Sequence, residues 1–551
     1  MNFKTLESAT KLRGGYYTNP QIASFLLRWV LQARPESILE PSCGDGVFFR
    51  ALRDLPHPTV QRVLGFEVEP VEASKAVQSG AGAGWLDVEL GDFLGWAYRR
   101  MQGPPDFDAA VGNPPFIRYQ YLDPQLQAIA ASIFAHYQLP FTKHTNAWVS
   151  FVIASLALLR PGGRLGMVVP AEILHVLHAQ SLRSFLSANC SRIVLFDPQE
   201  LWFEDALQGA VLLLAEKKVS AGARSQGVAI IPTRSPAFLN EDPEHWFRTA
   251  SYVNGETLTG KWMPALLTPE ERDLLSLAAE RPRIHRFASL AAAEVGIVTG
   301  ANKFFLVPDE LVERHGLGPW AHPMFGRSEH VPGVVYDAAT HEANKRAGLP
   351  ANFLWFKVDD AADLPPSVRE YLLSGEQQKL HERYKCRIRE PWFSVPFVHV
   401  APVGMLKRSH SWPRLILNEL GAFTTDTAYR VRPAAHVEPA ALVTGFVNSL
   451  TALSAELEGR HYGGGVLELV PSEIGRLLTP LAPVDRVQLR QLHAEVSAGV
   501  EAADILQRQD ARILRPLGFG QDDTDALRSA WLRLKSRRHR TDPDAALHDL
   551  D

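Results

Sequence analysis

Apolar positions along the chain follow two rules. Between residues 35 and 216, short continuous apolar runs alternate with stretches in which apolar residues recur every three or four positions. The runs are SILE (37–40), RVLGFE (62–67), LDVEL (86–90), FDAAVG (107–112), RLGMVV (164–169), RIVLFD (192–197) and GAVLLLAEK (209–217). A run as apolar and small as FDAAVG suits a buried parallel strand. The alternation of these runs with helical patterns predicts a doubly wound, Rossmann-like α/β domain whose last two strands form an antiparallel hairpin.

Thr18 or Asn19 suits an N-cap and Pro20 a first helical position, so a helix following them is expected to bury Ile22, Phe25, Leu26 and Trp29. Further helices are expected near 123–137, 146–159 and 171–187, and VAIIPT (228–233) reads as an edge strand. From about residue 266 the pattern changes to one helical stretch, TPEERDLLSLAAE, followed by many short strands and turns. The expected division is a first domain over 1–245, a linker over 246–265 and a mixed α+β domain over 266–551.

Composition narrows the class. At 551 residues with 46% hydrophobic content, the chain is long enough for two or three full cores. No apolar run approaches the roughly 20 residues of a membrane span, and MNFKTLESATKLRGG lacks a signal-peptide core, so a cytoplasmic enzyme is expected. The net charge of −4 neither favours nor opposes a nucleic-acid partner, which leaves the question to local patches. One such patch runs from Lys379 to Arg414, where eight Lys or Arg stand against Glu382 and Glu390, interleaved with Tyr384, Trp392 and Trp412. A second basic cluster, Arg533 to Arg540, is flanked by aspartates and reads equally well as solubilising surface.

The chemistry is expected where the strands end. FDAAVG runs into Asn113-Pro114-Pro115-Phe116, and two prolines forbid any continuation of the strand. A stiff loop beyond the carboxyl end of a strand is where open α/β sheets bind ligands. An asparagine oxygen and the Pro114 carbonyl offer two acceptors to one amino group, and Phe116 offers a flat face to a base. That set suits methylation of a planar amine. Upstream, Glu40-Pro41-Ser42-Cys43-Gly44-Asp45-Gly46 lies between a strand and a helix, where glycine lets backbone approach a ligand. Glu67 ends the second strand, where an acid meets ribose hydroxyls. Asp92-Phe93 follows the third, and the carboxylate there suits an adenine amino group or a helix N-cap. Cys43, Cys190 and Cys386 form neither a disulfide set nor a metal cluster, and no metal is expected. They follow Ser42, Asn189 and Lys385, not proline, which speaks against a cysteine-dependent carbon-5 cytosine methyltransferase.

In this order the motifs resemble those of the TaqI-like, gamma-group adenine-N6 DNA methyltransferases of bacterial restriction–modification systems. The resemblance is good over residues 14–216 and weaker beyond, and it implies a C-terminal target-recognition domain. It implies S-adenosylmethionine as cofactor, with Thr18 at its methionine carboxylate, and Glu40, Ser42 and Gly44 along its methionine and ribose side. Glu67 would take the ribose hydroxyls, Asp92 the adenine amine, and Phe93 would lie against that ring. Asn113 and Pro114 would hold the target amine of a flipped base, Phe116 would stack on it, and Phe203 would contact its other side. Phe116 stands where many members have tyrosine. VGIVTGANKFF (295–305), with Thr299, Asn302 and Lys303 beside a glycine turn, resembles a segment of the recognition domain that contacts DNA.

Cytosine-N4 methylation uses the same amine chemistry, and RNA or protein-glutamine methyltransferases also use Asn-Pro-Pro-aromatic loops. The long second domain favours double-stranded DNA as partner. With no Asp/Glu-x-Lys cluster in a strand context, any restriction endonuclease is expected on a separate chain. A two-domain clamp needs only one copy, so a monomer is expected.

Overall fold

The computed structural model describes residues 18–539, apart from 118, 143–144, 200–208, 255–259, 359, 463 and 484. The chain forms two compact units, the first reaching Leu267 and the second running from Thr268 to His539. In the first unit, strands β1 (Ser37–Glu40), β2 (Arg62–Glu67), β3 (Leu86–Leu90), β4 (Phe107–Gly112), β5 (Leu159–Pro170), β6 (Cys190–Pro198), β7 (Ala210–Lys217) and β8 (Gly227–Thr233) make one sheet. Its order is β3-β2-β1-β4-β5-β7-β6-β8. β1 to β5 are parallel, β7 is antiparallel to both β5 and β6, and β8 joins β6 in parallel as the edge. The chain builds outward from β1 to β3 on one side, then restarts with β4 on the other, so the switch point lies between β1 and β4.

Helices α1 (Pro20–Leu31), α2 (Val47–Arg53), α3 (Pro70–Ser79), α4 (Phe93–Arg100), α5 (Pro124–His136), α6 (Ala147–Ala157), α7 (Gln180–Asn189) and α8 (Pro243–Thr249) belong to this unit. Asn19, not Thr18, caps α1, accepting from the Gln21 amide at 2.8 Å. Phe25, Leu26 and Trp29 are fully buried and Ile22 nearly so. Each such side chain contributes roughly 1.5–3 kcal/mol of transfer free energy. α6 is apolar on all sides because it is buried on all sides.

Two expectations about this unit need correction. The helix expected over 171–187 is two short 3₁₀ turns, Ala171–Leu174 and Leu177–Ala179, followed by α7. The break is held by Arg183, whose Nη1 donates to the Ile173 and Val176 carbonyls at 2.9 and 3.0 Å. Burial pulls this guanidinium down to about 10. The described parts of the expected linker, 246–254 and 260–265, pack onto the first unit: Phe247, Trp262 and Met263 are buried, and Val253 bridges to Val228. Arg164 explains the attachment of α8, since it donates to Glu244 at 2.7 Å and stacks on Trp29 and Phe247.

The second unit holds a five-stranded sheet of β9 (Ala291–Val295), β10 (Val335–Tyr336), β11 (Val403–Leu406), β12 (Leu415–Asn418) and β13 (Ala428–Pro433), in the order β9-β13-β11-β12-β10. A separate aromatic core gathers Phe304, Phe305, Phe353, Tyr371 and Phe393. No single described helix is long and apolar enough to cross a membrane. The bent apolar pair Pro439–Gly445 and Ser449–Glu458 is buried inside this unit.

Candidate active site

The site is assembled at the switch point. Register pairs Ile38 with Ala109 and Leu39 with Ala110, so the loops that leave β1 and β4 emerge side by side. Ser42 Oγ joins them, donating to the Asn113 carbonyl at 3.0 Å. Pro114 is buried, whereas Asn113 and Phe116 are half-exposed at the rim. Behind the loop, the Ala147 amide donates to the Ile117 carbonyl at 2.8 Å, tying it to the start of α6. The neighbouring Asn146 carries a buried side-chain oxygen without a hydrogen-bond partner among the described residues, and its amide was overlooked in the sequence. An asparagine ahead of an apolar helix reads as an N-cap, and only the fold shows that its side chain makes no cap hydrogen bond.

On the β1 side the loop makes a cradle. Gly44 adopts φ +53° and a Cβ built there would meet nothing within 4 Å, so its backbone borders open space. Gly46 has a different need: at φ +80° its Cβ would lie 2.8 Å from Ala76 Cα, so it is glycine for packing against α3. The Gly44 amide donates to Glu67 Oε2 at 2.9 Å, and Glu67 Oε1 accepts from the Val68 and Glu69 amides, which aims this carboxylate at the cradle.

Glu40 ends β1 almost fully buried, and its Oε2 has no hydrogen-bond partner among the described residues. Burial pushes its carboxyl well above the ordinary range, and the nearby Asp45 and Glu67 charges push the same way against Arg50. Three carboxylates with one buried and unsatisfied suit a ligand that brings positive charge, as the sulfonium and ammonium of S-adenosylmethionine do.

A pH dependence follows. An acid whose folded value is raised costs stability once the unfolded chain can ionise, so the native protein loses stability as pH rises above about 4.3. Glu40→Gln removes that titration. The denaturation midpoint of cofactor-free Glu40→Gln should exceed that of the parent by a margin that grows from pH 4 to pH 8, and a margin independent of pH would contradict the burial argument.

Asp92 caps α4, accepting from the Leu94 and Gly95 amides, and a Cβ at Gly95 would crowd its Oδ2 at 2.9 Å. A carboxylate has further acceptor capacity, so the cap does not exhaust it. Phe93 is only 2% exposed and packs against Phe66 and Phe151 with ring centroids 5.5 and 5.4 Å apart. Its ring therefore packs into the core beside the Asp92 cap. Thr18 is buried just ahead of α1. Phe203 lies outside the described residues. All three cysteines are buried with their thiols pushed up in pKa by burial, Cys190 to about 12, so none is poised as a thiolate nucleophile.

In the second unit the sequence expectations divide. Thr299 is fully buried, and its hydroxyl bonds Asn302 and the Ala301 amide while its carbonyl accepts from Arg389 at 2.7 Å. That corrects its assignment as a DNA contact, because the glycine turn needs its polar atoms internally. Asn302 donates to Asp426 at 2.9 Å, and Lys303 is exposed. Within the basic segment, Lys407 and Arg408 pair with Glu468, and Arg414 donates to the Val331 and Pro332 carbonyls, so these cations are structural. Lys379, Arg383, Lys385 and Arg387 are exposed. Trp392 packs on Phe304 and Trp412 is buried, whereas Tyr384 is 65% exposed.

A doubly wound sheet with a ligand cradle and an Asn-Pro-Pro-Phe loop at its switch point defines an S-adenosylmethionine-dependent methyltransferase. The family described as Eco57I restriction-modification methylase matches residues 87–202, and that described as the C-terminal domain of the type II methyltransferase M.Eco57I matches residues 259–514. Both parts of the chain thus match families of restriction–modification methyltransferases. Among similar proteins, the type II methyltransferase M.AccI of Acinetobacter calcoaceticus is 22% identical over 480 residues, covering 84% of each chain. M.XamI of Xanthomonas campestris pv. amaranthicola is 24% identical over 499 residues, covering 87% of this chain and 86% of its own. The fold also resembles the type IIL restriction-modification enzyme MmeI solved in complex with DNA, with a TM-score of 0.54 at 12% identity, over 94% of this chain and 75% of that one.

Proposed function

We propose that this protein is a site-specific DNA methyltransferase that modifies the exocyclic N6 amine of an adenine flipped out of double-stranded DNA. The observation that carries the reading is the Asn113 to Phe116 loop at the end of β4, tied through Ser42 to the Gly44 cradle at the end of β1. S-adenosylmethionine supplies an electrophilic methyl group when bound. Thr18, Glu40, Ser42, Gly44, Glu67 and Asp92 are the residues to hold it, with Phe93 supporting the pocket from beneath.

Asn113 Oδ1 and the Pro114 carbonyl accept the two amine hydrogens and so orient the nitrogen lone pair towards the methyl group. Phe116 offsets part of the cost of unstacking the base, a few kcal/mol, with a stacking contribution of about 1–3 kcal/mol. No enzyme nucleophile takes part, in keeping with three buried, protonated thiols. The second unit reads the target sequence with its exposed basic residues, and the protein works as a monomer in the cytoplasm beside a separate restriction endonuclease.

The test is single-molecule sequencing of DNA from cells that express the protein. Modified adenines confined to one sequence motif support the reading; modified cytosines would move the assignment to N4, and unmodified DNA with methylated RNA or protein would overturn it. The cradle is tested separately by Gly44→Val. Since a Cβ there meets nothing, the protein should stay folded apart from a backbone strain of about 1–2 kcal/mol. Calorimetric S-adenosylmethionine affinity should fall about tenfold or more as the side chain fills the space. Unchanged affinity would move the cofactor away from this loop.

A further inference from the structure

Among the described residues of the second unit, Phe397 is the most exposed large apolar side chain, at 80%, and its backbone is left-handed at φ +57°. For a non-glycine residue that conformation persists only where neighbours impose it. They do so here from both sides. Val395 is buried, Val398 packs on the aromatic core, and Ala401 is buried, so the chain is anchored before and after the tip. Pro396 and Phe397 stand out between those anchors, and Arg430 donates to the Phe397 carbonyl at 3.4 Å. A hydrophobic ring held outward by this much structure is costly to solvate, and nothing in its own unit covers it.

The surroundings indicate what does. Arg430 and Arg432 pair with Glu294 on β9, and Val295 and Val298 just beyond it are 47% and 37% exposed. Arg389 ties Val298 and Thr299 to the segment that carries exposed Arg383, Tyr384, Lys385, Arg387 and Ile388. That segment packs against Gly300, where an added Cβ would lie 2.8 Å from Lys385 Cβ. Contacts through Arg389, β9 and Arg430 thus connect a segment of exposed cations to a projecting aromatic. Cations match a phosphate backbone, and an apolar ring set among them matches the gap between two base pairs.

We propose that Phe397 is a wedge that enters the base stack of double-stranded DNA when the second unit binds, with the Arg383 to Arg387 cations on the flanking phosphates. This rests on the reading of the protein as a DNA methyltransferase. By opening one step of the duplex, the ring lowers the cost of distorting the recognition site.

The test uses the full-length protein and the motif found by sequencing. 2-Aminopurine is placed in turn at each position of the motif and its flanks, and fluorescence is compared for the parent, Phe397→Ala and Phe397→Trp. One step should brighten with the parent and with Phe397→Trp but not with Phe397→Ala. kcat/KM for methyl transfer should fall about tenfold in Phe397→Ala, with S-adenosylmethionine affinity unchanged and most activity kept by Phe397→Trp. Equal rates and equal scans for the parent and Phe397→Ala would overturn the wedge while leaving the methyltransferase reading intact. A parent protein that modifies no DNA would overturn that reading, and the wedge with it.

Discussion

Asn113→Ala is expected to lower kcat for methyl transfer to DNA by about a hundredfold or more, with S-adenosylmethionine affinity nearly unchanged. In the proposed mechanism the side-chain oxygen is one of two acceptors that fix the amine, so its loss would free the lone pair to point away from the methyl group in most bound configurations. The main-chain carbonyl of the same residue, held by Ser42, survives the substitution, and so does the path of the loop between buried Pro114 and the end of β4. Asn113→Asp retains an acceptor in the same place and should fall less than Asn113→Ala. Steady-state kinetics on a duplex carrying the motif decide this: a change in KM alone would make Asn113 a binding residue with no role in orienting the amine. Full activity in Asn113→Ala would remove the loop from the chemistry.

Arg538→Ala should destabilise the second unit by about 3–5 kcal/mol, the usual cost of leaving one partner of a buried ion pair alone. Arg538 and Glu456 are completely buried and meet at 2.8 Å. The same guanidinium donates to the Gly465, His410 and Ser411 carbonyls, so one side chain closes the glycine-rich turn and ties the terminal helix Gln521–His539 to helix Ser449–Glu458. Denaturant unfolding of the full chain should show an early transition in Arg538→Ala. The double variant Arg538→Met with Glu456→Leu should recover most of the loss, since an apolar pair leaves no charge stranded. A single variant as stable as the parent would mean that water reaches Glu456.

Arg538, within a basic cluster that read as solubilising surface as well as binding, is therefore an internal residue in the fold. Lys and Arg are usually exposed, and the pairing partner of Arg538 lies 82 positions away, beyond any spacing rule. Trp392 and Trp412 were similarly ambiguous, because an aromatic among cations looks the same in the sequence whether its ring faces a base or the core. Phe397 carried no signal at all beyond the proline before it, since exposure and a left-handed backbone are set by what anchors its neighbours.

Local chemistry was legible wherever neighbours in sequence decide it. Apolar runs and 3.6-residue patterns are enough to define β1 to β8 and α1, and two prolines are enough to stop β4 at Asn113, because backbone hydrogen bonding and steric exclusion act over a few residues. The sequence alone thus determined the doubly wound sheet, the carboxyl ends of β1 to β4 and the residue types available there, whereas β5 begins at Leu159, ahead of the glycine turn expected to precede it. Tertiary structure decided how those residues are used: Ser42 bridging to Asn113, Glu40 buried with its Oε2 unpartnered among the described residues, Phe93 turned into the core, Thr299 consumed by its own turn, and the described residues of 246–265 packed onto the first unit. Burial and pairing depend on groups distant along the chain, and a buried polar atom is costly unless one of them meets it.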